Sequence, residues 1–337
     1  MAIETPPKSY GGLEQVVWNH AKGLADLGED VTLVGAHGSV APPGVKLLAF
    51  EDPGSFDESG SWWYYRHILA DYDVVLDHSW QKWSYLAGDY LPVVGTMHSP
   101  CPFMAKDQAG ALRGVPPPKR YPMLCGVSAE HSKFASKMLG LPVRTTWNSV
   151  DVSRFEFSST PGDTLLSINR IDPAKGIHVF IDWCSKAGAK GDVVGDDTLV
   201  QDKQYPINMK KACELYKVDW SGKVSHDVKF AKIRECKAVV LLPQAPGYLE
   251  VFGLAAVEAN AVGRPVICTP NCGLKDIIID GENGFLVSTF DEFKAAVAKL
   301  GTISPQACRK QAERWDIPVI VPKYRDIIKQ VNDGCRW

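Results

Sequence analysis

At 337 residues the chain is long enough for two domains of about 150, and 45% hydrophobic with 23% charged residues excludes a disordered tail, a collagen-like fibre and a coiled coil. Lys and Arg total 37 against 39 Asp and Glu, so a formal charge of −2 provides no global basic field, which argues against a nucleic-acid partner held by counterion release.

The opening M-A-I-E-T-P-P has neither the basic nor the apolar region of a secretory signal, and no later run nears the roughly 20 apolar residues that cross a bilayer. After Pro6-Pro7, the pair Gly11-Gly12 opens a helix. Leu13, Val16, Val17, Ala21, Leu24 and Leu27 follow at helical spacing, and Gly28 closes it. Short apolar runs at 31–34, 45–48, 74–76, 92–96 and 123–127 read as strands alternating with helical segments. The polar stretch S-S-T-P-G-D at 158–163 reads as a linker. Beyond it the same grammar restarts, with strands at 164–169, 192–195, 238–242, 265–268 and 284–287. A last helix, Ile317 to Val331, carries Val319, Ile320, Tyr324, Ile327, Ile328 and Val331 at helical spacing, with no strand after it.

Strands that read as near-continuous apolar runs between helices imply parallel sheets covered on both faces. The expected architecture is α/β, with two doubly wound Rossmann-like domains over 1–155 and 156–316 and a helix at 317–337 packing back toward the first. In such folds ligands sit at the carboxyl ends of the strands, so a site is expected in a cleft between the two domains. Nine cysteines, an odd number without pairwise spacing, read as reduced thiols in a cytoplasmic protein. Cys268 and Cys272 lack the second pair a zinc site needs, and no metal is expected.

Four groups of residues carry candidate chemistry. In Glu250-Val-Phe252-Gly253-Leu254-Ala-Ala-Val-Glu258 a turn ends on Gly253 at a helix start, where N–H groups and the helix dipole favour an anion such as a diphosphate. Glu258 lies five residues further on, about 7–8 Å along the axis, which is the reach from a diphosphate to a ribose. The same carboxylate on an ordinary amphipathic helix would simply face solvent. Arg170 and Lys175, in the loop after the strand T-L-L-S-I-N, are placed to neutralise two adjacent phosphates, although such a pair is more often only solvated. Gly11-Gly12 offers close backbone approach at the first helix start. His98 and His78 follow successive strands at their carboxyl ends, facing the expected cleft. No G-x-G-x-x-G follows the first strand, and no G-x-x-x-x-G-K-[ST], H-E-x-x-H or G-x-S-x-G occurs, so dehydrogenase, P-loop, zincin and α/β-hydrolase readings lose their main support.

Taken together, P-P-x-x-x-G-G, a His after a mid-domain strand, the N-S-V-D segment at 148–151, R-x-x-x-x-K and E-x-F-G-x-x-x-x-E resemble the retaining, nucleotide-sugar-dependent glycosyltransferases of the GT-B family four, also called glycosyl transferases group 1. The strings run in family order from Pro6 to Glu258. The resemblance implies that Glu258 holds the ribose hydroxyls and Glu250 those of the donor sugar. Backbone N–H groups at Phe252, Gly253 and Leu254 would hold sugar and phosphate, Arg170 and Lys175 the diphosphate, and the V-S-H stretch from Val224 to His226 falls where the family contacts the base. Gly11 and Gly12 would line the site, and His98 would sit by the sugar. Two departures stand out. Ser149 replaces the usual Gly and asks for a less permissive backbone, and the usual longer first strand is cut to M-A-I-E, so the first sheet is expected to lack part of a central strand.

The implied reaction moves a sugar from a UDP- or GDP-linked donor to a hydroxyl of a glycan, a lipid-linked acceptor or a small molecule, with retention, without metal and without a cofactor. The preorganised cations and helix start would stabilise the leaving diphosphate. A nucleotide-sugar 2-epimerase on the same scaffold and a non-catalytic two-lobed sugar-binding protein are the alternatives. Trp62-Trp63-Tyr64-Tyr65 and Trp80 with Trp83 suit sugar stacking, though core packing is the commoner use. Lys106, Arg113, Lys119, Arg120, Lys133 and Lys137 fit peripheral contact with an anionic membrane and equally an ordinary solvated face.

Overall fold

The structure, a computed structural model, describes residues 4–8, 11–50, 58–80, 82–87, 91–100, 122–198, 200–244 and 248–334. The chain divides into two compact units, one of Met1–Ser149 with Ile317–Trp337 and one of Val150–Asp316. The division falls at Ser149, six residues before the boundary read from the sequence, because Val150 already belongs to the second unit. Its N–H donates to Trp315 O at 2.9 Å, and Val152 N–H donates to Asp316 Oδ1 at 3.1 Å.

In the N-terminal unit the first helix, Gly12–Asp26, leads to β1 (Thr32–Ala36), which pairs in parallel with β2 (Lys46–Phe50). A second sheet has the order β3 (Val75–Asp77), β4 (Val93–Met97), β5 (Met123–Gly126) and β6 (Arg144–Thr145), all parallel. Side chains alternate faces along a strand. Val93, Met97 and Leu124 accordingly pack with Trp62 and Leu69, whereas Val94, Met123 and Cys125 pack with Tyr324 and Val331 of the final helix, Ile317–Asn332. That helix also lies against the first one at Gly23, where a Cβ would come within 2.7 Å of Val321 Cγ2 and 2.8 Å of Ile317 Cγ2. Absence of a side chain is what lets the two axes approach.

The C-terminal unit holds one six-stranded parallel sheet in the order β12 (Gly284–Leu286), β11 (Val266–Cys268), β10 (Ala238–Leu241), β7 (Leu165–Ile168), β8 (Gly191–Val194) and β9 (Asp219–Gly222). Phe180, Ile181, Val193, Val240, Ile267 and Phe293 build its core, each worth roughly 1.5–3 kcal/mol of burial. The stretch 158–163 is not a linker. The fully buried Arg264 guanidinium donates to Ser158 O at 2.9 Å and Thr160 O at 2.7 Å, and Gly162 N–H donates to Cys236 O at 3.3 Å, so the stretch is bound into this unit. Short polar edges β6 and β9 escaped the sequence reading, since R-T and D-W-S-G carry no apolar run.

Candidate active site

Three segments of the C-terminal unit converge at the carboxyl ends of β7 and β10. The first, Arg170 to Gly176, contains a 3-10 turn at Pro173–Lys175, fixed by Ala174 N–H donating to Asp172 Oδ1 at 3.0 Å. Gly176 closes the turn at φ +69°, and a Cβ there would sit 1.9 Å from Leu242 O. Only glycine satisfies both the backbone angle and the approach to the strand end. The second segment, Tyr248 to Gly253, is held from below by Asn271: Glu250 N–H donates to its Oδ1 at 2.8 Å, and its Nδ2 donates to Tyr248 O at 3.0 Å. The third is the helix Leu254–Val262, whose N-cap Gly253 has φ +102° and supplies no side-chain cap.

These segments bring together the residues read from the sequence. Lys175 Nζ donates to Glu250 Oε2 and stands 4.7 Å from the centre of the Tyr248 ring. Burial disfavours the Lys175 charge, but the Glu250 carboxylate and Tyr248 outweigh it and push the ammonium pKa above its ordinary value. Arg170 lies 3.6 Å from Asp172 and is partly open, with its Nε unpartnered. Phe252 turns inward, 2% exposed, with its ring edge-on to Trp315 at 5.4 Å, so its contribution toward solvent is the backbone. Leu254 opens the helix, and Glu258, one turn further on, is gripped by Lys229 Nζ at 3.0 and 2.9 Å. Lys229 comes from the helix His226–Glu235, which follows the half-buried Val224.

Lys229, Tyr248 and Asn271 were missed by sequence reasoning. Lys229 carried a weak signal, lying one helical turn beyond His226, while Asn271 and Tyr248 act through loop hydrogen bonds that no spacing announces.

In the N-terminal unit Gly11 caps the first helix at φ +152°, where a Cβ would meet Pro7 Cβ at 2.5 Å, and Gly12 begins the helix. Positive φ at the unit's end falls on Trp147 (+26°) and not on Ser149, whose carbonyl instead accepts from Asn19 Nδ2 at 2.9 Å. His98 is half-buried just after β4, and its Nε2 lies 2.9 Å from His78 Nδ1. His78, expected to face an open cleft, is buried, and its Nε2 lies 3.2 Å from the Tyr324 hydroxyl. Burial, with the nearby Lys82, pushes both imidazoles well below their usual pKa, so the pair is neutral at pH 7. Beneath them Lys82, 3% exposed, donates to the carbonyls of Asp77 at 3.0 Å and Thr96 at 2.8 Å and binds the ends of β3 and β4 together.

The aromatic cluster separates by role. Trp62 is core, whereas Trp63, Tyr64 and Trp80 are exposed. Lys106, Arg113, Lys119 and Arg120 lie outside the described residues, and Lys133 pairs with Glu130 at 3.0 Å. Among the described residues no helix is long and apolar enough to cross a membrane.

Parallel sheets in both units, with cations and carboxylates gathered at strand ends around an uncapped helix start in the second, are the architecture of the GT-B fold. Residues 151–315 of the chain match the family described as glycosyl transferases group 1. Its sequence is 30% identical over 183 residues to a putative colanic acid biosynthesis glycosyltransferase, WcaL, of Salmonella typhimurium, covering 50% of this chain and 44% of that protein. The chain thus spans less than half the length of that relative. Among solved structures it is similar to AviGT4, a glycosyltransferase involved in avilamycin A biosynthesis, with TM-score 0.74, 23% identity and coverage of 99% of this chain and 94% of that one. It is also similar to Anabaena HepE in complex with UDP-glucose, with TM-score 0.73, 16% identity and coverage of 97% and 98%.

Proposed function

We propose that the protein transfers a sugar from a nucleoside diphosphate sugar to a hydroxyl acceptor with retention at the anomeric carbon. The observation that carries this reading is the Lys175–Glu250 pair beside Arg170 and the Gly253 helix start, which puts two cations, a helix dipole and a sugar-binding carboxylate within one group of loops. When the bond from the anomeric carbon to the phosphate oxygen breaks, its electron pair goes to the diphosphate. Arg170, Lys175 and the N–H groups at Leu254 receive that charge, so no metal is required. The acceptor oxygen attacks from the face the diphosphate leaves, and its proton passes to the departing phosphate. Glu258 binds the ribose diol and Val224 packs on the base.

UDP is the favoured nucleotide because the similarly folded HepE was captured with UDP-glucose, and GDP is the second choice. Exposed Trp63, Tyr64 and Trp80 supply stacking faces for a glycan or lipid-linked acceptor. Buried thiols at Cys125, Cys184, Cys213, Cys236, Cys268 and Cys308 suit a reducing, cytoplasmic setting.

The test is a panel of UDP- and GDP-sugars, each scored for binding, hydrolysis and transfer, with and without a chelator. Chelator-insensitive transfer with the anomeric configuration kept is the expected result. Release of an altered sugar without any acceptor would establish the epimerase instead, and tight binding without turnover a sugar-binding protein.

A further inference from the structure

Glu258 has a partner that its own helix does not provide. Lys229, from the helix His226–Glu235, brings its ammonium to 3.0 Å from Oε1 and 2.9 Å from Oε2, so both carboxylate oxygens accept from one cation. The two side chains are 19% and 17% exposed, which leaves the pair partly desolvated yet within reach of solvent. The start of its helix fixes Lys229: the Ser225 hydroxyl caps it by accepting from Val228 N–H, and Lys229 N–H donates to Ser225 O at 2.9 Å. An ammonium has three N–H donors, and two are used on Glu258. Among the described residues the third meets no oxygen or nitrogen acceptor, and the Phe230 ring centre stands 5.1 Å from Nζ. As an ion pair alone this arrangement adds little stability, because partial burial costs both ions much of what their attraction returns. Beside a sugar diol it has a second use. A carboxylate only accepts, whereas a hydroxyl oxygen both donates and accepts, so a cation next to the carboxylate supplies the donor that Glu258 lacks.

We propose that Lys229 determines specificity at the nucleotide site: its third N–H donates to the ribose 2′-hydroxyl, whose own proton goes to Glu258, so the pair selects ribonucleotides over 2′-deoxyribonucleotides. The inference rests on the donor reading above, in which Glu258 takes the ribose, the Gly253 helix start the diphosphate and Val224 the base. That arrangement decides which hydroxyl is met. On ribose the 2′-carbon adjoins the carbon that bears the base, and the 3′-carbon lies toward the 5′-phosphate. Lys229 sits five residues beyond Val224, on the helix that follows the base segment, whereas Glu258 sits on the helix that starts at the diphosphate. Lys229 therefore approaches from the 2′ side. A ligand without that hydroxyl leaves the ammonium N–H facing no acceptor, and a desolvated donor left unpaired is what makes such a site reject the analogue.

The experiment measures calorimetric binding of UDP, 2′-deoxy-UDP and 3′-deoxy-UDP to the full chain and to its Lys229→Met and Lys229→Arg variants, with the guanine series run alongside. It needs neither an acceptor nor turnover. Methionine keeps an unbranched stem without the charge. The wild type is expected to bind UDP about 10²-fold more tightly than 2′-deoxy-UDP, and Lys229→Met to cut that ratio about tenfold while the ratio of UDP to 3′-deoxy-UDP moves less than about threefold. Lys229→Arg, which keeps a donor in a different geometry, should fall between the two. A purely structural Lys229 would weaken all three ligands alike in the methionine variant and leave both ratios unchanged, and that result overturns the proposal. So does a wild type that binds UDP and 2′-deoxy-UDP equally, a comparison that stands even where the methionine variant does not fold. A change confined to the 3′ ratio overturns it as well. Failure of the donor reading has a separate signature: the wild type binds no nucleoside diphosphate of either series, and the inference falls with it.

Discussion

In the C-terminal unit six parallel strands pair without a break, and its candidate ligand groups stand at the ends of the two central strands, β7 and β10. In the N-terminal unit the described strands stand in groups of two and four, and at their ends His78 bonds to His98 and Tyr324 while Lys82 bonds to strand-end carbonyls. The difference teaches that the two units carry different chemistry. The first gathers charge at its strand ends, and the second buries neutral imidazoles there.

The broadest way to sharpen this comparison is acid. Burial lowers His20 and His131 to about 4 and puts His78 and His98 well below their usual value, and all four lie in the N-terminal unit. Below pH 6.5 the unfolded chain binds protons that the folded unit refuses, so stability falls as pH falls. At pH 5 the loss is about 2 kcal/mol for each of His20 and His131. In the C-terminal unit the exposed His178 is lowered as well, by desolvation. Hydrogen exchange at pH 7 and pH 5 should therefore show the N-terminal unit opening first, and equal loosening of both units would break the comparison.

Next in size is Lys175→Ala. Removing one preorganised cation from the leaving group should lower kcat/KM by about 10²–10³, as loss of one oxyanion donor does. Lys175→Arg should restore only part of it, because a planar fork does not reproduce a point charge on Glu250. Wild-type turnover of every competent donor by the alanine variant would sink the diphosphate-clamp assignment. Glu258→Gln is expected to raise the donor KM about tenfold with a smaller change in kcat, since it weakens a charged hydrogen bond worth about 1.5–3 kcal/mol made in ground and transition states alike. An unchanged KM would leave Glu258 as a partner of Lys229 alone.

The smallest expected effect is Gly23→Ala, in the N-terminal unit. Helix propensity favours alanine by about 1 kcal/mol, but the contact with Val321 and Ile317 opposes it by about 1–3 kcal/mol, so urea denaturation should show a net loss. A gain would mean the two helices separate without cost.

Much of the fold was legible because its strands are apolar runs bounded by turn residues. The helix at Gly253 was legible too, as a glycine at each end frames Leu254–Val262. The site's principal charges, Arg170, Lys175, Glu250 and Glu258, follow strands and helix starts that local pattern reveals. Their partners were not legible. Lys229 meets Glu258 across 29 residues and Tyr324 meets His78 across 246, separations that no periodicity spans. Arg264, which no local pattern marks, is fully buried and binds the stretch that read as a linker.

The sequence by itself determined two parallel α/β units, the helix starts and the charged residues beside them, since these depend on side-chain period and on glycine's backbone freedom, which are local properties. Tertiary structure alone decided which charges neutralise each other and which histidines lose water and shed their protons. Those outcomes depend on desolvation and on side-chain pairing, both set by segments distant in the chain.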